Sequence, residues 1–247
     1  NHPFIARYND DFIVYSFGSN DNLQNQTQTY VGLIDHLCQE VTAPIRVSNN
    51  ANNNQGAPEL AVHGNGWITV GYYDNNDQRT YARGLKLEVQ DGVPTLQRMW
   101  NRTVVTPTNI GRPALVSLSP ERAFLCAAKG LQRPPELGVE CALLDAQSGE
   151  ILFSSYIAES SQKDKRFFNQ PSVALLDGGR VAIQVVESNG AGANGNDKGS
   201  SLTHLFVVEV GDNGMQIKSS KQNVGPYQAH PGMCSSRFGA VADGETP

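Results

Sequence analysis

The sequence lacks the features that would place it in several large functional classes. No run of about 18 consecutive apolar residues occurs, so no membrane span is predicted. The chain has no basic block, and its 19 Lys and Arg against 24 Asp and Glu give a net charge of −5. This balance disfavours a nucleic-acid partner, because nucleic acids recruit clustered positive charge. The motifs Gly-x-Ser-x-Gly, His-Glu-x-x-His and Cys-x-x-Cys and the phosphate-binding loop are absent, so no catalytic signature of these kinds is present.

The sequence is rich in turn residues and contains an internal repeat. The 24 Gly and 13 Pro predict many turns and few long helices. Five segments align without gaps on a proline, each with an apolar residue two positions later and a small or compact residue one further on. The aligned prolines are Pro3, Pro58, Pro113, Pro171 and Pro231. The repeats span about 2–56, 57–111, 112–169 and 170–229, with a partial fifth at 230–247.

Each complete repeat is predicted to form four antiparallel strands joined by short turns. In the fourth repeat the strands are expected at 171–175, 180–187, 202–210 and 215–221. In the first repeat, residues 32–37 fit either a strand or one helical turn. Four-stranded antiparallel units at this period are typical of β-propeller blades. The predicted fold is therefore all-β, a β-propeller or propeller fragment of four full repeats plus a partial fifth within one domain.

Particular segments add resemblances to known families. The chain resembles the β-propeller superfamily over nearly its whole length. Residues 139–150 (VECALLDAQSGE) resemble the hairpin of the third and fourth strands in quinoprotein (PQQ-like) blades. The run GRPAL at 111–115 is similar to the Arg-x-Pro strand of sialidases, although the sialidase Asp-box is absent. These resemblances imply the propeller fold and no particular cofactor.

The fifth repeat is predicted to supply one inner strand and at most a second. Its exposed edge favours a fragment of a larger propeller over a self-contained ring of four to five blades. Because the sequence starts at Asn1 without Met, we also expect a processed protein or a piece of a longer one. A further alternative is that this C-terminal blade edge, at 231–243, pairs with an assembly partner.

Loop lengths predict which face of the propeller binds a ligand. The connections from second to third strand and from blade to blade are long, and both emerge on one face. The residues before the aligned prolines are expected to ring the channel mouth on that face, and aromatic residues in the blade-connecting segments offer stacking surface. These candidate ligand-binding residues are His2, Arg112, Gln170, His230, Phe167 and Tyr227. The alternative is a solvated rim without a ligand.

Acidic residues on the long-loop face are candidates for metal binding or catalysis. Asp74 and Asp77 offer oxygen ligands for calcium, although their spacing departs from the known calcium-loop pattern, and no other cofactor is expected. Glycosidases need two carboxylates that converge. The candidate carboxylates are Asp74, Asp77, Glu159, Asp164, Glu187 and Asp197.

The sequence favours a recognition or scaffold module, with a protein or glycan as ligand, over an enzyme. A carbohydrate-active hydrolase or lyase on the same face is one alternative, and a structural subunit of a surface assembly is another.

The cysteines predict a disulfide and an oxidising compartment. Cys126 ends one predicted strand and Cys141 begins its antiparallel neighbour, so the pair is within bridging range. Cys38 and Cys234 have no evident partner among the predicted strands, and four cysteines permit three pairings. We therefore expect an extracellular, periplasmic or cell-surface protein, with buried free thiols as the alternative.

Overall fold

The protein is an all-β propeller, as the sequence predicts. The computed structural model describes residues 3–20, 27–48, 55–101, 103–106, 113–129, 138–161, 163, 166–189, 201–222 and 226–227. In these residues the strands form four antiparallel sheets that follow the four full repeats in order, and the one helical element is a short 3₁₀ turn at Asp177–Gly179. The partial fifth repeat and the predicted partner edge at 231–243 lie outside the described residues. No helix among the described residues is long and apolar enough to cross a membrane.

The first two blades each have four strands in sequential order. The first contains β1 (Phe4–Arg7), β2 (Phe12–Ser19), β3 (Gln28–Asp35) and β4 (Glu40–Arg46). The second contains β5 (Gln55–Val62), β6 (Trp67–Asp74), β7 (Arg79–Gln90) and β8 (Val93–Arg98), and β9 (Thr103–Thr106) continues its outer edge along β7. Of the ambiguous residues 32–37 in the first repeat, 32–35 belong to β3, which pairs with β2 along its whole length, and 36–37 lie in the turn that follows.

The third and fourth blades repeat this order. The third contains β10 (Ala114–Ser119), β11 (Arg122–Lys129), β12 (Gly138–Asp145) and β13 (Ile151–Glu159). The fourth contains β14 (Arg166–Leu175), β15 (Arg180–Asn189), β16 (Ser201–Gly211) and β17 (Gly214–Lys221), and β18 (Pro226–Tyr227) extends its outer edge along β16. The first strands of successive blades contact one another, so β1, β5, β10 and β14 lie on the inside of the arc.

Among the described residues, the hydrophobic core forms three layers between neighbouring blades. Val14 and Leu33 of the first blade pack against Val70 of the second, and the same arrangement recurs between the later blades. Because side chains alternate along a strand, each blade presents one apolar side to the preceding blade and the other to the following blade. Leu60 and Leu115, each two residues after an aligned proline, are buried in these layers, which explains why the repeat keeps an apolar residue there.

Trp100 links the second and third blades at a break in an outer strand. It follows β8, where its indole lies over Gly84 of β7 and Gly149 of the third blade. A Cβ at Gly84 would lie 2.0 Å from the indole nitrogen, so only glycine leaves room for the ring there. The indole N–H donates to the carbonyl of Ala146 at 3.1 Å, which ties the two blades together.

One side of the first blade has no neighbouring blade among the described residues. Ile5 on this side is 67% exposed, and Phe17 stacks on Tyr30 with ring centroids 5.5 Å apart. The equivalent pair in the second blade, Tyr72 and Tyr81, is buried against the first blade with centroids 5.8 Å apart. The described part of the ring is therefore open at this position.

Candidate functional site

The strand bounds place most long connections on one face of the blades. Residues 20–27, 130–137 and 190–200 join second to third strands, and residues 47–54, 107–113 and 160–165 join successive blades. At the opposite ends, most connections are two to four residues, such as 63–66, 91–92 and 212–213. One predicted long connection is short, because β6 runs to Asp74 and β7 starts at Arg79. We call the first of these faces the long-loop face.

The structure places the predicted ligand-binding residues differently from the sequence analysis. His2, Arg112 and His230 lie outside the described residues. Gln170 was expected at the start of an inner strand, but it lies inside β14 at an irregularity in the pairing between 169 and 172. Strand β14 continues on the far side of this bulge as far as Arg166, because the backbone resumes its pairing with β15.

The two predicted aromatic contacts lie in strands and not in blade-connecting loops. Phe167 pairs with Ser188 within the fourth blade. Tyr227 pairs with Ser201 at the outer edge of the same blade. Both assignments as loop residues are therefore wrong, since strand pairing extends further than the alternation of residue types indicated. Whether these residues bind a ligand stays a prediction.

The predicted disulfide is confirmed. Cys126 and Cys141 are directly opposite each other on β11 and β12 and are bonded. Both are fully buried in the layer between the third and fourth blades. Among the described residues Cys38 is a free, exposed cysteine.

Polar side chains recur at one position near the long-loop face in three successive blades. Sixteen residues after the aligned prolines lie Asp74, Lys129 and Glu187, at or near the end of the second strand. The third strand of each blade contributes a second residue beside this position. It is the residue paired with the second strand two positions before the rim residue. These residues are Tyr81 (paired with Tyr72), Glu140 (paired with Ala127) and His204 (paired with Val185). We call these three sets, Asp74 with Tyr81, Lys129 with Glu140 and Glu187 with His204, the rim pairs.

The rim residues differ from the residues four positions earlier on the same side of the second strands. Four residues before each rim position, the second strands carry Val70, Leu125 and Ile183, which are all fully buried in the apolar layers. The polar members Asp74, Glu140, Glu187 and His204 are between 0% and 8% exposed. Burying charged groups costs free energy unless they are paired. The side chains at the rim positions therefore differ in chemistry from blade to blade, whereas those four residues earlier are aliphatic in all three blades.

The fourth blade contains a polar network around Glu187. Arg166 donates from Nε and Nη2 to the two carboxylate oxygens of Glu187, at 2.7 and 3.2 Å. His204 Nε2 lies 2.5 Å from Oε2 of the same carboxylate, and the imidazole contacts the ring of Phe168 edge-on. Burial alone would raise the pKa of Glu187, but the hydrogen bonds and charges of Arg166 and His204 outweigh it and hold the pKa below its usual value.

The third blade contains an ion pair at the equivalent position. Lys129 Nζ lies 2.7 Å from Oε2 of Glu140 and sits over the ring of Tyr156. Burial lowers the pKa of Lys129, but the hydrogen bond and charge of Glu140 outweigh this and leave the pKa raised. The lysine therefore remains charged in its half-buried position.

The candidate calcium ligands in the second blade take part in local hydrogen bonds. The Asp74 carboxylate accepts from the backbone N–H groups of Asn76 and Asp77 at 3.0 and 3.1 Å, and from the side-chain amide of Gln55. Asp77 accepts from the hydroxyl of Tyr81 at 2.9 Å. Across the described residues, no group of three or more His, Cys, Asp or Glu side chains could hold a metal ion. Calcium binding by Asp74 and Asp77 stays a prediction.

Sequence reasoning found part of this set and missed the rest. Asp74 and Glu187 were among the candidate carboxylates. Lys129 could have been found by counting sixteen residues from the aligned proline in each repeat. His204 and Arg166 depend on the strand register around the connection 190–200 and the bulge at 169–172, which carry no clear sequence signal.

Structural comparisons agree with the propeller fold. No protein-family profile and no curated protein sequence matches the chain. An α-L-arabinanase of Penicillium chrysogenum complexed with arabinobiose is similar, with a TM-score of 0.55, 10% identity, and coverage of 90% of this chain and 65% of that one. The α-L-arabinofuranosidase ARB93A of Fusarium graminearum, in complex with an iminosugar inhibitor, has a TM-score of 0.56 and 11% identity, with the same coverages.

A polysaccharide lyase is also similar. The PL25 ulvan lyase bound to -[GlcA(1-4)Rha3S]- has a TM-score of 0.51 and 9% identity, and the match covers 87% of this chain and 56% of that one. This chain spans less than two thirds of the length of these structures. At such low identity the similarity establishes the propeller fold, and activity does not follow from it.

Proposed function

We propose that this chain forms the glycan-binding propeller of a carbohydrate-active enzyme, a hydrolase or a lyase, and that its glycan binds at the long-loop face beside the rim pairs. This was the alternative to the recognition module that the sequence favoured. The observation that carries the proposal is the replacement of apolar layer residues by buried polar side chains at one end of three successive blades. These side chains form ion pairs in the third and fourth blades, and in the second blade Asp74 accepts hydrogen bonds from Gln55, Asn76 and Asp77.

Glycans suit this arrangement because their hydroxyl groups need many directed hydrogen bonds. The rim pairs supply acceptor, donor and charged groups, and the ion pairs and local hydrogen bonds fix these groups in position. A binding site also needs pre-ordered side chains, since ordering them on binding would cost free energy. The similar structures with arabinobiose, an iminosugar and an ulvan fragment support the choice of glycan among polar ligands.

The confirmed disulfide fits an extracellular or periplasmic protein, which is where polymeric glycans are met. We therefore also propose this location for the chain.

The experiment tests cleavage of a glycan panel by the full chain. The panel contains arabinan, arabinobiose and ulvan. Hydrolysis is measured by new reducing ends, and cleavage by a lyase is measured by the absorbance of unsaturated uronates. We expect one readout to rise for at least one glycan. Asp74→Asn should reduce that rate by about 10-fold or more, because it disturbs a buried charge at the rim.

Asp212→Asn is the matched control, since this exposed carboxylate lies in the turn at 212–213 at the opposite end of the fourth blade. It should leave the rate within about 2-fold. If no panel member is bound or cleaved, or if both variants have the same effect, the proposed function is wrong.

A further inference from the structure

The outer edge of the second blade contains an acceptor motif for N-linked glycosylation. Residues 101–103 read Asn-Arg-Thr, which fits the pattern Asn-x-Thr with a residue other than proline in the middle. Asn101 lies in the break between β8, which ends at Arg98, and β9, which begins at Thr103. It is exposed to solvent. The folded chain therefore has room for a substituent on this asparagine.

The residues on either side of Asn101 contact the third blade. The Trp100 indole N–H donates to the carbonyl of Ala146, and the Thr103 hydroxyl donates to the carbonyl of Gly149 at 2.8 Å. Both carbonyls lie in the turn between β12 and β13. These two hydrogen bonds hold the break in place, and Asn101 is exposed between them.

The pairing register places Asn101 away from both ends of the blade. The ends of β8 and β9 that flank the break pair with Leu85 and Ala82 of β7. Strand β7 runs from Arg79 at the long-loop face to Gln90 at the opposite end, so these partners lie near its middle. A glycan on Asn101 would extend from the outer edge of the blade and leave the long-loop face uncovered.

A bulky polar substituent suits this edge of the sheet. Strand β8 is the outermost strand of its blade, and Met99, just after it, is 46% exposed. An open edge strand is a template for pairing with other chains, and natural proteins block such edges. An N-linked glycan is bulky and solubilising, so at Asn101 it would cover the part of the edge beside Met99.

We propose that Asn101 carries an N-linked glycan. The bond between Cys126 and Cys141 supports this modification, because disulfides and N-linked glycans are both features of secreted proteins. The inference rests on the proposed extracellular location and does not depend on the proposed activity.

The modification is a group transfer from an oligosaccharide that is linked to a lipid diphosphate. The side-chain amide nitrogen of Asn101 forms a bond with the anomeric carbon of the first sugar, and the bond between that carbon and the diphosphate oxygen breaks. The lipid diphosphate leaves with the electron pair of the broken bond, and the amide nitrogen loses one proton.

The test is mass spectrometry of the full chain, directed to the secretory pathway of a eukaryotic host by a cleavable leader. Because the glycan is attached before export, chain retained in the cells is analysed together with secreted chain. We expect most molecules to lose mass on treatment with peptide N-glycosidase. Release in heavy-oxygen water should leave a labelled aspartate at position 101, and Asn101→Gln should abolish this label.

Two variants serve as matched controls. Thr103→Ser keeps the hydroxyl that both the motif and the hydrogen bond to Gly149 require, so the glycan should remain. Asn25→Gln removes the other Asn-x-Thr motif of the chain, at 25–27, and should leave the label at position 101 unchanged.

The results separate this inference from the proposed function. A chain without label at position 101, or a mass loss that persists in full in Asn101→Gln, would overturn the inference and leave the glycan-binding propeller in place. The proposed function fails instead if the glycan panel is neither bound nor cleaved, whichever result Asn101 gives.

Discussion

Removal of the disulfide between Cys126 and Cys141 should destabilise the protein strongly. The bond closes a separation of 15 residues, for which the chain-entropy model gives about 3 kcal/mol. Both sulfurs are fully buried in an apolar layer, and losing each costs up to about 0.8 kcal/mol of burial. The double variant Cys126→Ala/Cys141→Ala should therefore lose about 4 kcal/mol of unfolding free energy. Small domains have about 5–15 kcal/mol in total, so the variant should stay folded only marginally.

The assay is urea unfolding of the oxidised chain, followed by circular dichroism. Cys38→Ser is the control, because Cys38 is exposed and free, and it should change the unfolding free energy by less than about 0.5 kcal/mol. Thiol labelling of the denatured, unreduced protein should leave Cys126 and Cys141 unmodified. A loss below about 1 kcal/mol in the double variant, or labelling of either cysteine, would refute the reasoning.

Three other predictions concern buried groups between the blades. Burial lowers the pKa of His63, although its contact with the carbonyl of Ser119 partly opposes this. On acidification, His63 is therefore protonated at a higher pH in the unfolded chain than in the folded one. Stability should therefore fall as pH drops below about 6.5, and His63→Gln should flatten that part of an unfolding-versus-pH series. Gly84→Ala should cost about 2 kcal/mol or more in urea melts, because its Cβ collides with the Trp100 indole, and an unchanged midpoint would contradict that packing. Lys129→Met should cost about 3 kcal/mol, whereas the double variant with Glu140→Leu should recover most of it, and additive losses would count against the ion pair.

The sequence predicted the elements governed by local periodicity. The aligned prolines and the aliphatic residues that follow them placed the inner strands, because every blade needs the same apolar residues to pack on its neighbours. The pairing of Cys126 with Cys141 followed from two adjacent antiparallel strands within one repeat. The first of these features is visible as a periodic pattern along the chain, and the second is a contact within one repeat.

The site was only partly predictable because its contacts depend on register. The position of Gln170 was misjudged since a bulge lets β14 extend to Arg166, and bulges leave no regular pattern in the sequence. The contact between Glu187 and His204 spans the connection 190–200, so counting along the chain does not reveal it. Trp100 was missed for the same reason, since its partner Gly149 belongs to the next blade.

The central claim, a glycan site at the long-loop face, is tested most directly by hydrogen–deuterium exchange of the full chain with and without saturating oligosaccharide. The account predicts added protection in peptides that cover 72–81, 127–141, 166–189 and 201–211, which together contain the rim pairs of three blades. Turns at the opposite ends, at 63–66, 91–92 and 212–213, should exchange as before. Protection confined to those turns, or no change anywhere at a concentration shown to saturate binding, would contradict the account.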